Sequence, residues 1–213
     1  MMLCKLTDVK TLLNISAQDT SKDEVLTMLI KKVSAEFQSY IGYKLERKTY
    51  TEEIHSVNNR QLIQLNALPL RSVENVTING KVITDYKIIP SYARWGRLYR
   101  GEGWTGNFYT KGFEHDIVSG EYSILVTYDA GYYLPNDTEH YTEDGEDSLP
   151  YDIRMACVKV VCMAWETMQN HADGLKAHSE GGISDTYGDF AQDIGISDST
   201  KKALAGYVFY GVA

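Results

Sequence analysis

Residues 21–42 read Ser21-Lys22-Asp23-Glu24-Val25-Leu26-Thr27-Met28-Leu29-Ile30-Lys31-Lys32-Val33-Ser34-Ala35-Glu36-Phe37-Gln38-Ser39-Tyr40-Ile41-Gly42. Val25, Leu26, Leu29, Ile30, Val33, Phe37, Tyr40 and Ile41 recur at steps of three and four, which lines one side of an α-helix with apolar side chains. Ser21 to Glu24 match the S-x-x-E capping box, in which the Ser hydroxyl and the Glu carboxylate each satisfy a free backbone N–H. Gly42 is placed to end the helix in the left-handed conformation that a side chain resists. Such a helix is not stable alone, so the rest of the chain must cover its apolar face.

Upstream, Thr7 is positioned to N-cap a short helix, Asp8 to Leu13, with Asp8 in the first turn where the helix dipole favours an acid. Downstream, from about Arg47, the period changes to two. Thr49–Val57, Gln61–Leu65, Val73–Ile78, Lys81–Thr84 and Tyr86–Ile89 are short and rich in β-branched and aromatic residues. Asn79-Gly80 supplies the two positive φ angles of a type I′ hairpin turn. Arg94–Arg100, Trp104–Thr110 and Glu121–Tyr128 continue the pattern, with Gly96, Gly101, Gly103, Gly106, Gly112 and Gly120 at the bends. These strands predict a small antiparallel sandwich or barrel-like sheet.

Helix resumes at Leu149-Pro150, with Ser148 as a cap and the proline in the first turn. Ile153, Ala156, Cys157, Val160, Val161, Ala164 and Met168 make one face, and Met155, Val158, Cys162 and Trp165 make the others apolar too. A helix apolar nearly all round is buried centrally, or by its own fold and a neighbouring subunit together. Gly174 to Gly195 reads as an irregular glycine- and serine-rich loop. Ser197 or Asp198 then caps a last short helix running to about Tyr207. The expected fold class is α+β: a helical bundle formed by residues 1–46 and 148–213, an inserted antiparallel β region at 47–129, and an acidic flexible loop at 130–147.

The net charge is −8. Residues 136–147 hold six carboxylates and no lysine or arginine, so that stretch supplies most of the acidity. It is expected to be solvated, without basic partners, and dispensable for folding. The balance argues against a protein that grips nucleic acid over a broad basic face. The longest strictly apolar run, Val160 to Trp165, is far short of the roughly 20 residues that span a bilayer. The opening residues MMLCKLTD have no apolar h-region, so no secretion or lipoprotein signal is expected. Cys4, Cys157 and Cys162 have no short metal-type spacing and suit a reducing compartment.

Hydrolytic, P-loop and dinucleotide-binding motifs are absent. Gly101-Glu102-Gly103 reads as a turn between strands. His171 and His178 flank Asp173, a weak metal-site pattern set against a plain loop. No catalytic residue, metal or cofactor is assigned. Sixteen tyrosines in 213 residues are many, and tyrosine is enriched where surfaces bind other surfaces. The uncharged end of the chain, Tyr207 to Ala213, must either fold back on the bundle or dock on a neighbour. Trp165, Tyr207, Phe209 and Tyr210 are the candidate assembly residues.

Several segments, taken in order, resemble the head–tail connector (adaptor, or head completion) proteins of long-tailed bacteriophages. Leu6-Thr7-Asp8-Val9-Lys10-x-x-Leu13, followed by Asp23 and the helix to Tyr40-Ile41-Gly42, is similar to the family's opening helix pair. Leu68-Pro69-Leu70-x-Ser72-Val73-x-x-Val76 resembles a strand opening of that family. Tyr128-Asp129-Ala130-Gly131-Tyr132 resembles its strand-end signature, and Leu149-Pro150-x-Asp152-Ile153 with Ala156 its next helix. Ser179 to Phe190, with Leu204 and Tyr207, resembles its closing loop and helix. The resemblance implies a non-enzymatic virion protein of the neck in an elaborated, longer form, assembled in the bacterial host cytoplasm. Its implied partners are copies of itself in a ring, the portal protein, and the next neck or tail protein. Double-stranded DNA would pass through without sequence-specific binding, and no membrane is involved.

Two other readings stay open from the residues themselves. One is a glycan- or protein-binding β module built on Trp95 and Trp104. The other is a small enzyme using paired carboxylates such as Asp129 with Glu121.

Overall fold

The computed structural model describes residues 1–105, 123–169, 177–180, 183–186 and 196–209. In chain order the elements are α1 (Leu6–Leu12), α2 (Asp23–Ile41), β1 (Lys48–Ser56), β2 (Leu62–Gln64), β3 (Leu70–Ile78), β4 (Lys81–Val82), β5 (Tyr86–Lys87), α3 (Pro90–Ala93), β6 (Arg97–Arg100), β7 (Ser123–Ala130), α4 (Tyr151–Gln169), β8 (Ala177–Glu180), β9 (Ile183–Thr186) and α5 (Asp198–Leu204). The fold is α+β. By contacts the chain divides into two compact units: Met1–Tyr43 with Tyr133–Ala213, and Lys44–Tyr132.

In the first unit, α4 packs against α1, α2 and α5. The stripe of α2 buries Leu26, Leu29, Ile30, Val33, Phe37 and Ile41, together with Ser34. Gly42 ends the helix at φ 90°, its N–H bonded to the Gln38 carbonyl at 3.0 Å. The capping box at Ser21 does not form. The Ser21 hydroxyl is bound to Asp19 Oδ1 at 2.6 Å, and the N-cap is Lys22 with no side-chain cap bond. Asp23 instead pairs at 2.5 Å with Lys10 Nζ, a lysine only 4% exposed. That ammonium also donates to the Asp19 carbonyl at 2.9 Å and so fastens the α1–α2 connection.

The cap of α1 is also earlier than expected. Lys5 occupies it, because the Asp8 carboxylate reaches back to the Lys5 N–H at 3.4 Å. At α5 the expectation holds, since the Ser197 hydroxyl accepts from the Thr200 N–H at 3.3 Å. Within the stretch expected to be an irregular loop, Ala177–Glu180 pairs antiparallel with Ile183–Thr186.

Among its described residues the second unit holds two antiparallel sheets, ordered β1-β7-β3-β4 and β2-β6-β5. Strand β7 is central, and Ile124, Val126, Tyr128 and Ala130 alternate inward along it. They share one apolar core with Ile63, Leu65, Val76, Ile78, Leu98 and Trp104. Asn79 and Gly80 take φ 52° and 76°, the mirror-image turn that joins β3 to β4. A bulge between Tyr50 and Glu53 bends β1, with Glu52 at φ 51°. Gly131, at φ 104°, lies so close to residue 46 that an added Cβ would sit 2.6 Å from the Glu46 carbonyl oxygen.

The expected strand Arg94–Arg100 is replaced by a helical turn and a shorter strand. Pro90, with its preset φ, opens α3 at the first helical position, and β6 begins only at Arg97. Beyond residue 105, the expected strand Trp104–Thr110 and the bends at Gly106, Gly112 and Gly120 lie outside the described residues.

Candidate assembly surface

Helix α4 buries Ile153, Arg154, Cys157, Val158, Val160, Val161, Cys162, Ala164 and Trp165. Apart from its two ends, its exposed residues are Asp152, Lys159, Met163 and Glu166, spaced seven, four and three apart and therefore on one face. The unit's own helices thus cover most of a helix that is apolar nearly all round, and a neighbour is left only this narrow stripe.

Trp165 is 8% exposed. Lys22 Nζ lies over its ring, 5.7 Å from the centroid. Beside it, Leu12, Leu13, Asn14, Trp165, Glu166 and Gln169 line a cleft of about 330 Å³. At the other end of α4, the Tyr207 hydroxyl donates to Asp152, 2.9 Å from each carboxylate oxygen. The Phe209 N–H bonds the Ile41 carbonyl at 3.1 Å, beside the turn that ends α2. The chain's close therefore folds back on its own unit as far as Phe209, and Tyr210 lies outside the described residues. Asp152 and Trp165 are thirteen positions apart on α4, about 20 Å at 1.5 Å per residue. Trp165 and Tyr207 accordingly mark opposite ends of the helix and form no single cluster.

A polar clasp that the sequence reading missed lies near the start of α4. Arg154 is only 5% exposed. It donates to Glu143 Oε1 at 2.8 Å and to the Tyr141 hydroxyl at 3.1 Å, with Asp8 Oδ2 at 4.0 Å. Its guanidinium also stands over the Tyr151 ring at 5.1 Å. Hydrogen bonding to Arg154 holds the Glu143 carboxyl below its ordinary range. The acidic stretch, expected to lack basic partners, is therefore tied down through Glu143, because a distant helix supplies the cation. The signal was present as one arginine inside an apolar helix, since a buried guanidinium requires anions or acceptors.

Of the residues named for the two alternative readings, Trp95 is half-buried with the Arg94 guanidinium 5.4 Å from its ring centroid, while Trp104 and Asp129 are engaged within the fold. Trp104 is fully buried and donates its indole N–H to the Leu98 carbonyl at 3.3 Å, so it offers no ring face to a glycan. Asp129 accepts from the Thr49 hydroxyl at 2.6 Å and the Ser72 hydroxyl at 3.2 Å, with Arg47 at 3.6 Å. Those bonds, the Thr49 one foremost, keep its carboxyl below the ordinary range, and Glu121 lies outside the described residues. So does His171, and the side chain of His178 with it. Among the described residues no group of three or more His, Cys, Asp or Glu side chains could hold a metal ion. No described helix is long and apolar enough to cross a membrane.

The model of one protein family, head completion protein (HCP), matches residues 2–187 of the chain. No curated protein matches it. The solved virion of a native gene transfer agent (GTA) particle contains a similar chain, with TM-score 0.49 and 12% sequence identity over 97% of this chain and 89% of that one.

Proposed function

The chain belongs to the head completion protein family, and from that premise we propose that it is a non-enzymatic structural protein of a phage-type virion neck. Copies form a ring that joins the portal vertex to the tail or to the next connector protein, and the ring extends the DNA channel. The observation that carries this reading is the family match, which runs through both compact units. The charge supports it, because a channel wall that lets duplex DNA pass should not be basic, and this chain carries −8. A ring needs head-to-tail contacts between different patches of each copy. The exposed stripe of α4, with the Trp165 cleft at one end and Tyr207 and Phe209 at the other, is the surface we assign to them.

Light scattering and negative-stain imaging of the protein, alone and with a portal preparation, test the proposal. Closed rings seated on portal are expected. Met163→Glu should abolish them while leaving the helical spectrum intact, because Met163 is half exposed on that stripe. A protein that stays unassociated with portal at all concentrations would overturn the ring, and rings unaffected by Met163→Glu would overturn the surface.

A further inference from the structure

We infer that Cys4 and Cys157 join in an intramolecular disulfide on exposure to an oxidising thiol pool, a covalent modification that ties the segment before α1 to α4. Their sulfur atoms lie 3.7 Å apart although the residues are 153 positions apart in the chain. Both side chains are buried. The backbone beside Cys4 is docked in place, with the Leu3 N–H on Ser34 Oγ at 3.0 Å, and that same oxygen stands 3.9 Å from the Cys157 sulfur. Three separate segments therefore hold the two thiols against each other. A disulfide needs the sulfurs at about 2 Å, which is less than 2 Å of further approach. Cys162 is five residues along α4 from Cys157, about 140° around the helix at 100° per residue, so the geometry selects one pair out of three thiols.

The reduced pair is protected while docked. The adjoining Cys157 thiol and burial push the Cys4 thiol well above its ordinary range, and the thiolate is the nucleophile. Oxidation thus begins when residues 1–5 lift away from α4. The Cys4 thiolate attacks glutathione disulfide, whose S–S bond breaks, leaving a mixed disulfide on Cys4 and releasing one glutathione. When the segment redocks, Cys157 gives up its proton and attacks the Cys4 sulfur, expelling the second glutathione. The protein loses two electrons, the glutathione disulfide gains them, and the two thiol protons end on the two glutathiones.

The test is to incubate the full chain with glutathione disulfide, alkylate the remaining thiols, and map peptides without reduction. The expected result is a Cys4–Cys157 peptide pair lighter by two hydrogen atoms, with the three free thiols falling to one, alkylated at Cys162. Cys162→Ala should oxidise like the parent chain. Oxidised protein should melt higher than reduced protein, and the difference should vanish on adding a reductant. Three thiols remaining after prolonged exposure, a bond through Cys162, or a bond between copies would each overturn the inference. An unchanged melting temperature in protein shown to carry the bond would overturn the claim that the segment is tied down.

Discussion

Replacing Tyr128 by Phe isolates the polar contact at the centre of the β core. The Tyr128 ring is fully buried and stacks on Tyr50, with centroids 5.2 Å apart and planes 15° from parallel. Its hydroxyl donates to Glu53 Oε2 at 2.5 Å and accepts the Ala67 N–H at 3.2 Å. The substitution keeps the ring and its stacking, so no large cavity opens. It removes an acceptor from a buried backbone N–H, which costs about 1–3 kcal/mol, and it removes a hydrogen bond to a charged group, worth about 1.5–3 kcal/mol. Glu53 keeps the His55 ring at 2.6 Å and the Asn66 N–H at 2.9 Å, so part of the second loss is recovered. The expected destabilisation is about 2–4 kcal/mol, read by urea unfolding at neutral pH. A change below about 0.5 kcal/mol would refute the reasoning, because a bond worth so little could not be holding a buried N–H.

The same contact has a pH signature. Burial opposes ionisation of Glu53, but bonds from His55, Tyr128 and the Asn66 N–H outweigh it and hold the carboxyl below its ordinary 4.5. A carboxyl depressed on folding contributes stability above its unfolded pKa and loses it as pH falls through the folded value. The gap between parent chain and Tyr128→Phe should therefore be full at neutral pH and narrow below about pH 4.5.

Three further outcomes follow from the helical unit. Replacing residues 136–147 by a Gly/Ser linker strips Arg154 of Glu143 and Tyr141; the melting temperature should fall by about 5 °C or more, since a protein of this size loses about 2–4 °C per kcal/mol, and adding Arg154→Met should restore part of it. Val33→Asp places a carboxylate at a fully buried site between α2 and its partners, and circular dichroism should show the helices lost or a stability drop above about 4 kcal/mol. Deleting residues 208–213 removes the Phe209 bond to Ile41, and calorimetry should find a loss of about 1 kcal/mol with the fold retained.

Local chemistry was legible and distant partners were not. The Gly42 stop and the Asn79-Gly80 turn depend on the chirality of one or two residues, and both took the positive φ expected of them. The capping box failed through competition. Asp19, two residues upstream and outside the four-residue motif, took the Ser21 hydroxyl. The strand assigned to Arg94–Arg100 failed for a local reason, since Pro90 at a first helical position outweighed the alternation after it. The Arg154 clasp draws on Asp8, Tyr141 and Glu143 from two other stretches of chain, a grouping no window along the sequence contains.

The residues proposed for assembly show the same division in a sharper form. An uncharged chain end containing Tyr207, Phe209 and Tyr210 requires cover, and that requirement is readable from composition. What covers it is not readable, because a chain's own helix and a neighbour's helix present the same chemistry. In the folded chain Tyr207 binds Asp152 in the first turn of α4, and Phe209 binds the end of α2 through its backbone. Trp165 sits at the far end of α4 over Lys22. A neighbour touching both ends must therefore lie along the intervening stripe of Lys159, Met163 and Glu166. Its charges of both signs flank one exposed apolar side chain, a pattern that favours one register of approach over a slide along the helix. Reversing both charges, Lys159→Glu with Glu166→Lys, keeps the net charge and the exposed area while inverting that register. The double variant should fold as the parent chain does and fail to form rings, with itself or with parent copies, because head-to-tail contacts set the stripe against a different patch whose charges are unchanged. Rings of mixed parent and variant copies at unchanged affinity would show that the stripe takes no part in assembly.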